Sequence, residues 1–267
     1  MRAPNAQFPW EARTSASLAQ PNVRTLWELM LRGAYPELTE YPNKNASLWH
    51  GSYIQTYLER DVRTLRQVGD LTQFQLFLRA VAARSAQLFV ASDVAKDIGV
   101  SVNTVRAWLA VLEATYQVII LRPYFSNVSK RLVKSPKIYF TDVGTLCYLT
   151  GLRDVDHLAA GPMSGTVFET FVVSQVYKRL LNRGIEPSVY FWRTATGTEV
   201  DILVEDQGVL HPLEIKATAT PRPSMSSGIS SLRKDLGSQV GKGYIVHMGE
   251  LTLPLAPEIE AIPLVQL

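Results

Sequence analysis

Gly197-Thr-Glu-Val-Asp-Ile-Leu-Val-Glu-Asp206, followed closely by Leu213-Glu-Ile-Lys-Ala217, decides how this chain is read. Both runs have the apolar, β-branched character of strands, and a short polar link separates them. The first sets a carboxylate, Asp201, in the middle of an apolar strand. The second carries Glu214 and Lys216 two residues apart, so the two side chains share a face. Paired as a hairpin, the strands can bring Asp201 to that same face. Two carboxylates beside a lysine are the parts needed to hold a divalent cation against a phosphodiester and to position a water. Glu199 shares a strand face with Asp201 and competes with it as a ligand. Asp201 is preferred because it sits deeper in the apolar run, and Glu205, at the strand end, reads as a surface charge.

Around this hairpin the pattern is α-β-β-β-α-β-β. A helix over about 166–182 carries Glu169 near its start, within Val167-Phe-Glu-Thr-Phe-Val-Val173. Strands are expected at 188–193, 199–205 and 209–217. A Pro/Ser-rich link over 220–227 leads to a helix at 229–236, and strands at 243–248 and 259–265 follow.

The first half of the chain reads as helical. Short helices are expected at 23–31 and 71–83, with a longer one over 48–68 from apolar positions 53, 54, 57, 58, 62 and 65. Then come Ser92-Asp-Val-Ala-Lys-Asp-Ile-Gly-Val-Ser101 and Asn103-Thr-Val-Arg-Ala-Trp-Leu-Ala-Val-Leu-Glu113. Ser92 and Ser101 stand where helix N-caps belong, and Gly99 supplies a tight turn between two short helices, the pattern of a helix-turn-helix. β-rich stretches at 116–123 and 137–141 enclose Asn127-Val-Ser-Lys-Arg-Leu-Val-Lys-Ser-Pro-Lys137, which has four positive charges and no negative one. The ensemble reads as a winged helix. Its recognition helix presents Asn103, Thr104 and Arg106, with Lys96 beside it, and its basic wing presents Lys130, Arg131, Lys134 and Lys137 to a phosphate backbone.

Bulk composition excludes more than it selects. The net charge is +3, from 27 basic and 24 acidic residues, so a nucleic-acid partner rests on local charge and not on the total. The single Cys147 rules out an intramolecular disulfide framework and suits a reducing, cytoplasmic setting. No apolar run approaches a membrane-spanning length, and the four histidines show no zinc-ligand spacing. A Gly-x-x-x-x-Gly-Lys-Ser/Thr loop is missing from the sequence, so there is no ATP site in it.

With Glu169 added, Asp201, Glu214 and Lys216 complete a pattern that resembles the PD-(D/E)XK nuclease superfamily, in element order as well as in residues. That resemblance implies Glu169, Asp201 and Glu214 as ligands of Mg²⁺ and Lys216 as the group that orients or activates the attacking water. Many members of the superfamily keep the fold while serving only as binding modules.

A second resemblance covers most of the chain, from about 26 to 229. Ser52-Tyr-Ile-Gln-Thr-Tyr-Leu-Glu-Arg-Asp-Val-Arg63 and Lys130-Arg-Leu-Val-Lys-Ser-Pro-Lys-Ile-Tyr-Phe-Thr-Asp-Val-Gly144 are similar to a large group of prokaryotic AAA-superfamily ATP-binding proteins. So are Phe191-Trp-Arg193 and the Glu199 to Lys216 motifs. In that group a P-loop ATPase precedes a C-terminal domain of unknown function with a nuclease-like end, and this sequence resembles the C-terminal half without the ATPase.

The expected architecture is therefore α+β. It has a helical segment over 1–70, a winged-helix-like domain over 71–145 and a PD-(D/E)XK nuclease-like α-β-β-β-α-β domain over 146–267. The expected function is DNA binding with Mg²⁺-dependent phosphodiester hydrolysis. The alternative is a non-catalytic DNA- or protein-interaction or regulatory module related to the C-terminal part of an AAA-type ATP-binding protein. The expected partners are DNA and a protein or ATPase, with no membrane.

Overall fold

The computed structural model describes residues 7–11, 21–62, 70–124 and 135–267. In chain order the helices are α1 (Val23–Arg32), α2 (Pro36–Glu40), α3 (Ala46–Thr56), α4 (Leu71–Ala82), α5 (Ala91–Ile98), α6 (Val102–Ala114), α7 (Val143–Leu149), α8 (Val155–Ala160), α9 (Ser164–Asn182) and α10 (Ser227–Leu236). The strands are β1 (Val118–Pro123), β2 (Lys137–Phe140), β3 (Val189–Arg193), β4 (Glu199–Asp206), β5 (Val209–Lys216), β6 (Gly243–His247), β7 (Leu253–Ala256) and β8 (Ile259–Pro263). They form a mixed sheet in the order β2-β1-β3-β4-β5-β6-β8-β7. The mixed α+β class is as expected. Two compact units interleave along the chain: a helical unit of 27–120 and 136–171, and a sheet unit of 1–26, 121–135 and 172–267.

In the helical unit, α4 starts where the Asp70 carboxylate accepts the Thr72 and Gln73 amides. It buries Phe74, Phe77, Leu78, Val81 and Ala82, one stripe at helical spacing. Trp108 of α6 packs on that stripe, its ring centroid 5.3 Å from Phe74 and 5.5 Å from Phe77. Gly99 ends α5 with φ +71°, a left-handed turn open to glycine, and the Ser101 hydroxyl caps α6 by accepting the Thr104 amide at 3.0 Å.

Two local expectations change. Ser92 does not cap α5: the N-cap is Val90, with no side-chain cap, and Ser92 lies within the helix with its hydroxyl on Asp93. The helix expected over 48–68 is α3, begun by Asn45 accepting the Leu48 amide, and it runs into a π-turn at Tyr57–Val62. That widened turn shifts the apolar phase and buries Tyr57, Leu58 and Val62. Residues 63–69 lie outside the described residues.

In the sheet unit, β3, β4 and β5 form an antiparallel meander, and β6 lies parallel to β5. β4 and β5 are joined by Gln207-Gly208, with φ +49° and +79°. Two positive φ values in a two-residue loop match the right-handed twist of the flanking strands and fix their register. One face of this sheet carries α10. Leu203, Ile229, Leu232, Ile245 and Ala261 are buried there in one cluster. The structure adds an edge strand absent from the sequence reading, β7, which pairs antiparallel with β8. Its Leu-Pro-Leu-Ala sequence hides it, because proline is tolerated only at an edge.

Candidate functional site

The register set by the Gln207-Gly208 turn pairs Asp206 with Val209 and Ile202 with Leu213. Beyond the last of these pairs, Asp201 of β4 and Glu214 of β5 come together around one lysine. Lys216, two residues on, joins them. Its Nζ is 2.6 Å from Glu214 Oε1 and 3.8 Å from Asp201 Oδ2. Asp201 Oδ2 also accepts the Ile215 backbone N–H at 2.7 Å, which fixes the carboxylate in the hairpin.

Both carboxylates are inside, Asp201 at 7% and Glu214 at 8% exposure, while the Lys216 side chain is 34% exposed. Two negative charges and one positive leave the cluster formally at −1, and its open side is the lysine. The start of α10 closes the other side. A methyl group on Gly228 would run into the Glu199 carbonyl oxygen and lie 3.6 Å from Glu214 Oε2, so only glycine lets the helix approach this closely. Glu199, the competing ligand, is tied to Arg193 at 2.8 Å.

Glu169 lies in the part of α9 that belongs to the helical unit. Its Oε1 accepts from the Tyr139 hydroxyl at 2.7 Å and from Lys137 Nζ at 3.1 Å. Lys137 is therefore not a wing cation. It is 4% exposed, in a strand whose four residues are all buried, because the carboxylate of Glu169 neutralises it there. The signal in the sequence was the alternation of Lys137 and Tyr139, which puts both polar tips on one face of β2. Among the described residues no three His, Cys, Asp or Glu side chains are grouped as a metal ion would need.

In the helix pair α5–α6, Asn103 and Arg106 are exposed, as is Lys96, while Thr104 is half-buried with its hydroxyl 2.8 Å from that of Ser101. Lys130, Arg131 and Lys134 lie outside the described residues.

Beyond the C-terminal ends of β5 and β6 opens a cleft of about 500 Å³ that sequence reading did not anticipate, lined among others by Pro21, Asn22, Ala219, His247, Glu250 and Leu251. It is separate from the carboxylate cluster, although Lys216 and His247 are register partners on adjacent strands. His247 Nδ1 accepts the Gly249 amide at 2.9 Å, and Nε2 stands 3.1 Å from the Leu251 carbonyl oxygen, which makes Nε2 the protonated nitrogen. Burial lowers the pKa of this histidine and keeps it neutral.

No helix among the described residues is long and apolar enough to cross a membrane. No solved structure matches the chain. Two relatives, the uncharacterized proteins Rv2008c of Mycobacterium tuberculosis and Mb2031c of Mycobacterium bovis, are each 36% identical over 239 residues. The aligned region covers 88% of this chain and 52% of theirs, so the chain spans about half the length of the curated relatives it matches. Residues 164–267 match a domain of unknown function, DUF4143, commonly found C-terminal to AAA ATPase domains. Residues 23–156, half of the sequence, match another domain of unknown function, DUF8612. The chain thus belongs to the DUF8612 family, and the residues that follow that domain are similar to DUF4143.

Proposed function

We propose that this protein acts on DNA through a winged-helix-like docking element and a nuclease-like sheet unit of PD-(D/E)XK type, with phosphodiester hydrolysis at Asp201, Glu214 and Lys216. The observation that carries the reading is the meeting of those three side chains on one face of β4 and β5. The strand order supports it, since a β3-β4-β5 meander with β6 parallel to β5 is the arrangement the α-β-β-β-α-β pattern calls for.

The donor set suits Mg²⁺. That ion takes hard oxygen ligands, is satisfied by one or two carboxylates and keeps several waters. Asp201 and Glu214 would hold it. When bound, it would supply charge neutralisation at the phosphate and acidification of a bound water. Lys216 is the partly exposed member and can donate from its ammonium to a phosphate oxygen or to the attacking water. Asp201 is kept in place by the Ile215 amide. Docking falls to the exposed Asn103, Arg106 and Lys96 on α5 and α6, residue types that reach phosphates and base edges.

One observation favours the second reading, a non-catalytic interaction module. The carboxylates do not form a three-member ligand group, and Glu169 is occupied by Lys137 and Tyr139. A nicking assay on supercoiled plasmid, titrated with Mg²⁺ and Mn²⁺, separates the two. The catalytic reading expects metal-dependent nicking that Asp201→Ala and Lys216→Ala each abolish. DNA binding without cleavage at any concentration of either ion overturns it in favour of the module.

A further inference from the structure

The cleft beyond β5 and β6 lies where parallel strands ordinarily receive a ligand, in the crevice outside their carboxyl ends. Its walls are held by main chain. The Met248 N–H donates to the Thr218 carbonyl oxygen at 2.8 Å, which ties the loop after β6 to the loop after β5. Gly249 lies so close to that second loop that a methyl group on it would run into the Ala219 carbonyl oxygen. His247 commits both ring nitrogens to its own loop, at Gly249 and Leu251, so it shapes the wall and is not a free donor or acceptor. The opening of about 500 Å³ is therefore preformed, and its size is that of a small-molecule site.

What the lining offers is apolar surface with a few neutral or acidic groups. Among the described residues no lysine or arginine lines the cleft. Val23, Leu251 and Leu253 all line it and are all exposed, Leu251 at 67%. Aliphatic surface gathered at one opening marks a binding face. Asn22 caps α1 through its Oδ1, which accepts the Thr25 amide at 2.9 Å, and its Nδ2 remains as a donor. Glu250, exposed, supplies an acceptor. A phosphate would meet no cation in this cleft and one carboxylate. A nucleobase is neutral, has two apolar faces and carries donors and acceptors along its edge, which matches the lining.

The cation stands next to the cleft. Lys216 and His247 are register partners on parallel strands, so their side chains leave the sheet on one face, with backbones about 4.8 Å apart. A nucleic-acid strand whose phosphate meets Lys216 can therefore turn a neighbouring base into the cleft. A base that is paired and stacked in a duplex cannot enter such a pocket without leaving its stack.

We propose that this cleft binds one unpaired nucleobase of the strand whose phosphate meets Lys216. Single-stranded nucleic acid, rather than an intact duplex, is then the substrate of the site. The inference rests on the nuclease reading of Asp201, Glu214 and Lys216.

The test is binding of the full chain to a fluorescein-labelled thymidine strand of about 12 nucleotides, within the usual site size for single strands. A second strand of the same length and charge has every base replaced by an abasic site. Anisotropy is read with Ca²⁺, an oxygen-seeking cation like Mg²⁺, as the only divalent ion. The unmodified chain is expected to bind the thymidine strand about tenfold more tightly than the abasic one, the effect of one stacked base. Leu251→Ala/Leu253→Ala is expected to bring that ratio close to one and to leave affinity for the abasic strand unchanged. Equal binding of the two strands by the unmodified chain, binding of neither, or a ratio that survives in the variant overturns the proposal. Should the double variant lose its thermal transition, Leu251→Ala takes its place, with the same outcomes. Cleavage is followed separately, on circular single-stranded DNA with Mg²⁺. Base-dependent binding without cleavage keeps the cleft as a single-strand site and sinks the nuclease reading; cleavage without base dependence does the reverse.

Discussion

The Asp201 carboxylate accepts the backbone N–H of Ile215, on the neighbouring strand, at 2.7 Å. The side chain is thus a structural member of the hairpin as well as the best ligand candidate. Asp201→Ala leaves a buried amide without its acceptor and is expected to cost about 1–3 kcal/mol in urea unfolding. Asp201→Asn keeps an oxygen in that position and is expected to cost less. Asparagine is thus the cleaner substitution for separating activity from stability, and equal destabilisation by the two would show that the Ile215 hydrogen bond is not what holds Asp201.

Gly228 offers a sharper test of how closely α10 approaches the site. In an open helix, glycine to alanine gains roughly 1 kcal/mol from propensity. At Gly228 the added methyl meets the Glu199 carbonyl oxygen, so Gly228→Ala is expected to lower stability by about 1–3 kcal/mol, the usual range for overpacking. Gly165→Ala, in the first turn of α9 where nothing lies within 4 Å, is the control and is expected to be neutral or stabilising. Thermal melts of the two variants should move in opposite directions or, at the least, differ clearly.

Sequence carried the hairpin for a physical reason. The Asp201 strand, the E-x-K strand and a two-residue Gln-Gly turn are all local, and period-two alternation converts them directly into a shared face. The α5 turn at Gly99 and the Ser101 cap were legible in the same way. What was not legible depends on partners distant in sequence. Lys137 reads as one more charge of a basic loop until β2 is buried and Glu169, 32 residues later, neutralises it. The docking of Phe8 and Trp10 was hidden because their contacts are Arg179, Arg183 and His211, about 170 to 200 residues away, and no periodicity signals such a contact.

The Lys137–Glu169 pair gives a prediction of its own. Lys137 is 5% exposed at its side chain and Glu169 16%. Lys137→Met strands a largely buried carboxylate and is expected to cost about 3 kcal/mol, near the lower end for a broken buried pair. Lys137→Met with Glu169→Gln removes both charges, keeps an acceptor for the Tyr139 hydroxyl and is expected to recover a substantial part of that loss. A double variant as unstable as the single one would show that packing, and not the stranded charge, sets the cost.

Three buried histidines are expected to make stability fall on the acid side of neutrality. Burial lowers the pKa of His50, His211 and His247 below the ordinary value. Above about pH 6.5 each is neutral in both the folded and unfolded chain, and none of them makes stability pH-dependent. As pH falls below that value the unfolded chain takes up protons first, so it binds more protons than the folded one and stability declines. Urea midpoints measured from pH 8 to pH 5.5 are therefore expected to be flat in the upper part of this range and to fall in the lower. His50 is fixed between the Arg32 carbonyl oxygen at 3.0 Å and the Thr145 hydroxyl at 3.2 Å, which a glutamine can partly replace without a titrating proton. His50→Gln is expected to lower the midpoint at pH 8 and to make the fall below pH 6.5 shallower. An unchanged slope in that variant would exclude His50 from the acid sensitivity and leave it to His211 and His247.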